Sequence, residues 1–171
     1  IITDWSADGR FLLYQHGDPQ NGWDLAALPL MGEREPIVLV SGPFEERSGQ
    51  VSPDGRWVAY QSNESGRFEI YVQPFPDPGD KWQVSTGGGI DVRWRADGEE
   101  LFFLAPDGTL MVAGVHASDS TFDAGSPLAL FRTRVAVGGV ANLAPQYTVA
   151  RDGRFLINTL SETEGAAPIT V

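Results

Sequence analysis

The chain has 171 residues, with 23 acidic side chains against 12 basic ones, a formal net charge of −11 and no cysteine. That balance argues against a nucleic-acid groove or direct insertion into an anionic membrane, both of which attract basic patches. Missing thiols exclude disulfides, thiolate catalysis and cysteine-ligated metals. Apolar residues at 42 % and five tryptophans are enough for a folded core, while 20 glycines and 12 prolines point to many turns.

In chain order, one motif recurs four times. It begins as Trp5-Ser6-Ala7-Asp8-Gly9-Arg10 and returns as Val51-Ser52-Pro53-Asp54-Gly55-Arg56, then as Trp94-Arg95-Ala96-Asp97-Gly98-Glu99, and last as Val149-Ala150-Arg151-Asp152-Gly153-Arg154. Successive Asp-Gly pairs are 46, 43 and 55 residues apart. Asp-Gly between two β-rich runs is a hairpin signal, because glycine accepts positive φ and aspartate can accept nearby amides. A fifth pair, Asp107-Gly108, predicts a second hairpin inside the third unit.

Around these turns the apolar and β-branched runs predict four short strands per unit. They fall at residues 2–6, 11–15, 23–28 and 36–40, then at 49–52, 57–62, 69–74 and 82–85. The third unit predicts strands at 90–93, 101–105, 110–115 and 128–132, the fourth at 146–149, 155–160 and 169–171. No amphipathic stretch of helical length escapes glycine or proline. Four antiparallel strands in a repeated unit are the arithmetic of a β-propeller, so the expected fold is all-β, with about four four-stranded blades at residues 1–45, 46–88, 89–139 and 140–171. The tryptophans of the motif, Trp5, Trp57 and Trp94, are expected to lie buried near the seams between blades. Both ends of the sequence read as strands cut in mid-course. The four units are therefore expected to be half of a larger ring, completed by the rest of a longer chain or by a homodimer.

The second unit carries a family resemblance. Ser52-Pro53-Asp54-Gly55-Arg56, then Trp57-Val58-Ala59-Tyr60-Gln61-Ser62-Asn63 and Ser65-Gly66-Arg67-Phe68-Glu69-Ile70-Tyr71-Val72, resembles the repeat of TolB-type β-propellers. The tail from Asp152 to Asn158, with Ala167-Pro168-Ile169-Thr170-Val171, is similar to the end of propellers carried at the C-terminus of bacterial membrane-anchored serine/threonine kinases. The resemblance implies a non-catalytic binding or scaffold module, placed outside the cytoplasm, that recognises a protein or peptide and needs no cofactor. The alternatives it implies are a propeller attached to a prolyl-oligopeptidase-like hydrolase and a periplasmic envelope protein.

Chemistry is sparse in the sequence itself. No Gly-x-Ser-x-Gly elbow occurs, and the histidines His16 and His116 both follow apolar strands, where loops begin. Gly87-Gly88-Gly89 and Gly138-Gly139 lack the Lys-Ser/Thr and the helix of a phosphate loop, and read as links between blades. The acidic pairs Asp18/Asp24, Asp77/Asp80 and Asp119/Asp123 lack the alternating spacing of a calcium loop and read as solvated loops. Inner strands of every blade line the central channel of a propeller, so their polar residues are the candidate binding set: Asp4, Gln50, Asp91, Arg93, Gln146 and Tyr147. The bland reading of the same residues is that they solvate the channel or satisfy one another.

Overall fold

A computed structural model describes residues 1–18, 22–118, 121–135 and 145–159. Among these residues there are strands and no helix, arranged as antiparallel sheets in a propeller-like stack. The first blade is β1 (Ile2–Trp5), β2 (Phe11–Asp18), β3 (Gly22–Pro29) and β4 (Ile37–Val40), paired in chain order. The second, β5 (Glu46–Val51), β6 (Trp57–Ser62), β7 (Glu69–Pro74) and β8 (Trp82–Gln83), repeats that order. Chain-order pairing through tight hairpins is what short connections between antiparallel strands enforce.

The third blade departs from expectation at its outer edge. It contains β9 (Ile90–Trp94), β10 (Glu100–Leu104), β11 (Thr109–Ala117), β12 (Phe122–Ala124) and β13 (Leu128–Arg132). Strand β11 is nine residues long; its first half pairs with β13 and its far half, Val115 to Ala117, pairs with β12. The unforeseen β12 has a single large apolar residue, Phe122, between polar ones, so no run of strand formers announced it. The fourth blade shows β14 (Tyr147–Val149) and β15 (Phe155–Ile157). Its expected strand at 169–171, the Gly138-Gly139 link and Asp119 lie outside the described residues.

Each Asp-Gly turn is built alike. In the second blade Gly55 has φ +73° and donates its amide to the Ser52 carbonyl at 2.9 Å. Asp54 accepts the Arg56 amide at 3.1 Å, and Arg56 Nε lies 2.8 Å from the same carboxylate. Burial pushes the Asp54 carboxyl up, but the Ser52 hydroxyl and Arg56 outweigh it and hold it below the usual range. In the exposed turns the hydrogen bonds act nearly unopposed. Asp8 is held down to about 2, first by the Arg10 amide and then by Ser6, and Asp97 to about 2, first by the Arg95 side chain. Such exposed pairs fix turn geometry more than they add stability.

The core is divided among the seams between blades. Leu13, Leu25 and Leu39 of the first blade meet Val51, Val58, Tyr60 and Phe75. Trp57, Ile70 and Val72 of the second meet Leu101, Phe103, Val115 and Phe122 of the third. Phe102, Leu104 and Leu110 meet Tyr147, with Val149 and Phe155 packed alongside. The central strands of the middle blades, β6, β7 and β10, are thus buried along nearly their whole length, as a layer between two neighbours must be. The tryptophan expectation holds for Trp57, which is buried, and for Trp94, which is half-buried against the seam. It fails for Trp5, which is 62 % exposed on the outer face of the first blade.

Candidate functional site

Polar contacts cross the seams as well, and they involve all six candidate residues, Gln146 through its backbone amide and Tyr147 through its ring. Gln15 on β2 accepts the Ser48 amide of β5 at 3.0 Å, and Gln61 on β6 accepts the Asp91 amide of β9 at 2.8 Å. Ser48 and Asp91 are the non-glycine residues with positive φ, 56° and 59°. Each sits beside a register irregularity in its inner strand. A bulge of this kind is strained, and the carboxamide of the preceding blade holds it in place. Strand register makes Leu104 the counterpart of Gln15 and Gln61 in the third blade, because Trp5↔Leu12, Val51↔Val58 and Trp94↔Leu101 are matching pairs. Leucine offers no acceptor. There the Asp91 carboxylate takes over, accepting the Gln146 amide at 2.6 Å.

The candidates accordingly fall into two groups. Asp4 accepts the Val51 amide at 2.8 Å, and Gln50 Nε2 donates to the Thr3 carbonyl at 2.9 Å, which ties the first blade to the second. Asp91, Arg93, Gln146 and Tyr147 form one buried cluster between the third and fourth. Arg93 Nη2 lies 3.1 Å from Asp91 Oδ1, and the guanidinium carbon sits 5.8 Å from the Tyr147 ring centroid. Burial pushes Asp4, Asp91 and the Tyr147 phenol above their ordinary values, and for both aspartates Arg93 pulls partly in the other direction. Beside this cluster the axis holds a cavity of only about 40 Å³, bordered by Ile2, Thr3 and Ser48. That is room for a water or so, not for a peptide.

A roomier space lies elsewhere. Between the second and third blades, on the face carrying the Asp-Gly turns, a cleft of about 470 Å³ opens among Asp54, Arg56, Trp94, Asp97, His116 and Thr121. Two successive motif turns form its walls, and the hairpin from β11 to β12 closes one side. Trp57 forms part of its floor. The sequence did contain a signal for it, since identical turns in adjacent blades must sit side by side. What it lacked was the β12 hairpin, which places His116 and Thr121. His16, by contrast, is exposed at the end of β2 against Tyr14. The Gly87-Gly88-Gly89 link is tightly packed: the Gly88 amide donates to both Glu69 carboxylate oxygens at 2.9 Å, and a Cβ on Gly89 would meet Ile70 and Ser85 at 2.8 Å. Among the described residues no three carboxylates or histidines converge as a metal site would require.

No family model and no curated protein matches the sequence. Solved structures do. A puromycin-hydrolyzing peptidase from Mycobacterium tuberculosis is similar over 90 % of this chain and 27 % of its own, with 21 % identity and a TM-score of 0.60. A protein assigned as TolB from Agrobacterium tumefaciens matches 73 % of this chain and 48 % of its own, with 18 % identity and a TM-score of 0.56. TolB from Acinetobacter baumannii matches 86 % and 45 %, with 18 % identity and a TM-score of 0.51. The chain thus spans less than half of each, and the likeness establishes the TolB-type propeller fold.

Proposed function

We propose that the chain is a non-catalytic binding module whose inter-blade cleft recognises an extended segment of a protein or peptide. The observation that carries this reading is the cleft of about 470 Å³, within the roughly 300–1,000 Å³ typical of ligand sites. A half-buried indole, Trp94, stands there beside the carboxylates Asp54 and Asp97, with His116 and Thr121 opposite. An aromatic platform ringed by hydrogen-bonding groups suits a peptide carrying a basic or aromatic side chain. The axial cavity beside Asp91 and Arg93 holds only about 40 Å³, which makes the cleft the better ligand site. The acidic charge of the whole chain favours a basic partner in the same direction.

By resemblance, the module belongs outside the cytoplasm and serves as the sensor part of a membrane-anchored kinase. The likeness of 90 % of the chain to a peptidase favours a second reading, a propeller that supports an attached hydrolase. The parent open reading frame separates these: a kinase domain upstream supports the first, an α/β-hydrolase downstream the second. The cleft is tested with a peptide array and the variant Thr121→Arg, which fills the cleft from an exposed position. Peptides retained by the wild type and lost by the variant, at unchanged melting temperature, support the reading. Equal retention by both proteins, or none by either, contradicts it.

A further inference from the structure

Successive blades repeat one apolar seam, and among the described residues the two outer faces of the stack carry exposed counterparts of its halves. Strand pairing identifies Trp5, Val51, Trp94 and Val149 as one position, opposite Leu12, Val58, Leu101 and Phe155 respectively. In the later blades this residue packs on the blade before it. Val51 is 8 % exposed among first-blade leucines, and Trp94 donates its indole N–H to the Gln50 carbonyl at 3.1 Å. In the first blade the same position, Trp5, stands open beside exposed Ile2 and Val38.

The opposite face has the converse pattern. Leu13, Ala59, Phe102 and Leu156 are equivalent, each paired with the residue before the motif position. The first three are buried beneath the following blade, whereas Leu156 is 74 % exposed. Next to it, Asn158 falls at the position of Gln15 and Gln61, since it follows Phe155 by three residues as they follow Leu12 and Val58. In both glutamine cases the carboxamide reaches the bulged inner strand of the next blade. Here the carboxamide is exposed. The residue equivalent to Ser48 and Asp91, which such a group would hold, is Ile2.

We propose that a second copy of this chain mates these halves: the Leu156 and Asn158 face of one copy covers the Trp5 and Ile2 face of the other. The indole N–H of Trp5 then meets the Thr148 carbonyl of the other copy, the counterpart of Gln50. This surface is distinct from the peptide cleft, which lies between the second and third blades. A second copy is favoured over an unrelated protein because both halves of a single seam, apolar and polar, are present on this one chain. Reciprocal use of both faces gives a closed head-to-tail pair, which leaves neither half exposed. With a charge of −11 on each copy, association should tighten as salt rises.

Sedimentation velocity on the 171-residue chain at micromolar concentration is the test, with Trp5→Arg and Leu156→Arg as variants. Both positions are exposed in the single chain, so neither change should alter its melting temperature. The expected result is a species of twice the 18.5 kDa chain mass in the wild type, strengthened by salt, and a monomer for each variant alone. Mixing the two variants restores one intact seam, so the mixture should regain a weaker dimer, which misfolding could not produce. A wild-type monomer at both low and high salt overturns the proposal and leaves the faces to other blades of a longer polypeptide. A dimer that persists in both variants overturns it as well.

Discussion

Trp57 is buried in the seam between the second and third blades. Its ring centroid lies 5.5 Å from that of Trp82 in its own blade and 5.3 Å from Phe122 across the seam. Trp57→Ala is expected to cost about 3–5 kcal/mol in chemical denaturation, the range for emptying a large aromatic site. The two kinds of glycine should respond differently. Gly55 has open space where a Cβ would go, so Gly55→Ala should cost only the left-handed backbone penalty of about 1–2 kcal/mol. Gly89→Ala drives a methyl into Ile70 and Ser85 and should cost more than Gly55→Ala, measured in the same way. Asp91 supplies a pH signature. Its carboxyl is raised in the fold by burial, so the folded state binds a proton that the unfolded chain has released, and stability from this group grows as pH falls below the raised value. Wild type should therefore gain stability relative to Asp91→Asn on moving from neutral pH toward pH about 4, near the unfolded value. A relative loss over that range would show that the carboxyl is not raised. The exposed turn aspartates Asp8 and Asp97 act with the opposite sign, losing their contribution as pH falls toward about 2.

At the scale of the strand, the carboxamide clamps account for how the bulged inner strands of the second and third blades persist. Gln61→Leu copies what the third blade already has at Leu104, but without an aspartate to replace the acceptor. The Asp91 amide would be left buried and unpaired, at an expected loss of about 1–3 kcal/mol. A loss near zero would mean that the bulge does not depend on the clamp. Much of the strand order was legible because the motif is local: Asp-Gly with flanking β-branched residues dictates a hairpin wherever it falls, and strands β6, β7 and β13 begin and end where their apolar runs do. The β12 strand was not legible, since Phe122 earns its place through Trp57, Trp82 and Trp94, all distant in sequence. The clamps escaped for the same reason. Asp91 and Arg93 read as channel polar groups, and only the register of neighbouring blades shows that they face Gln146 and Tyr147. Trp5 misled because the repeat gives it the same local context as Trp94, while burial depends on the blade in front.

At the scale of the molecule, a stack whose apolar clusters lie between successive blades derives its stability from seams, and its cooperativity from how strongly adjacent seams are coupled. That organisation is also what creates a cleft between turns of adjacent blades and what leaves two faces open at the ends. The central claim is that the second and third sheets are adjacent blades joined by the Trp57 seam. A double-mutant cycle between Trp57→Ala and Phe122→Ala measures this directly, because the two rings belong to different sheets and meet only if the blades stack. The account predicts a favourable coupling of about 0.5–1.5 kcal/mol beyond the sum of the single changes. Additive losses, with no coupling, would contradict it.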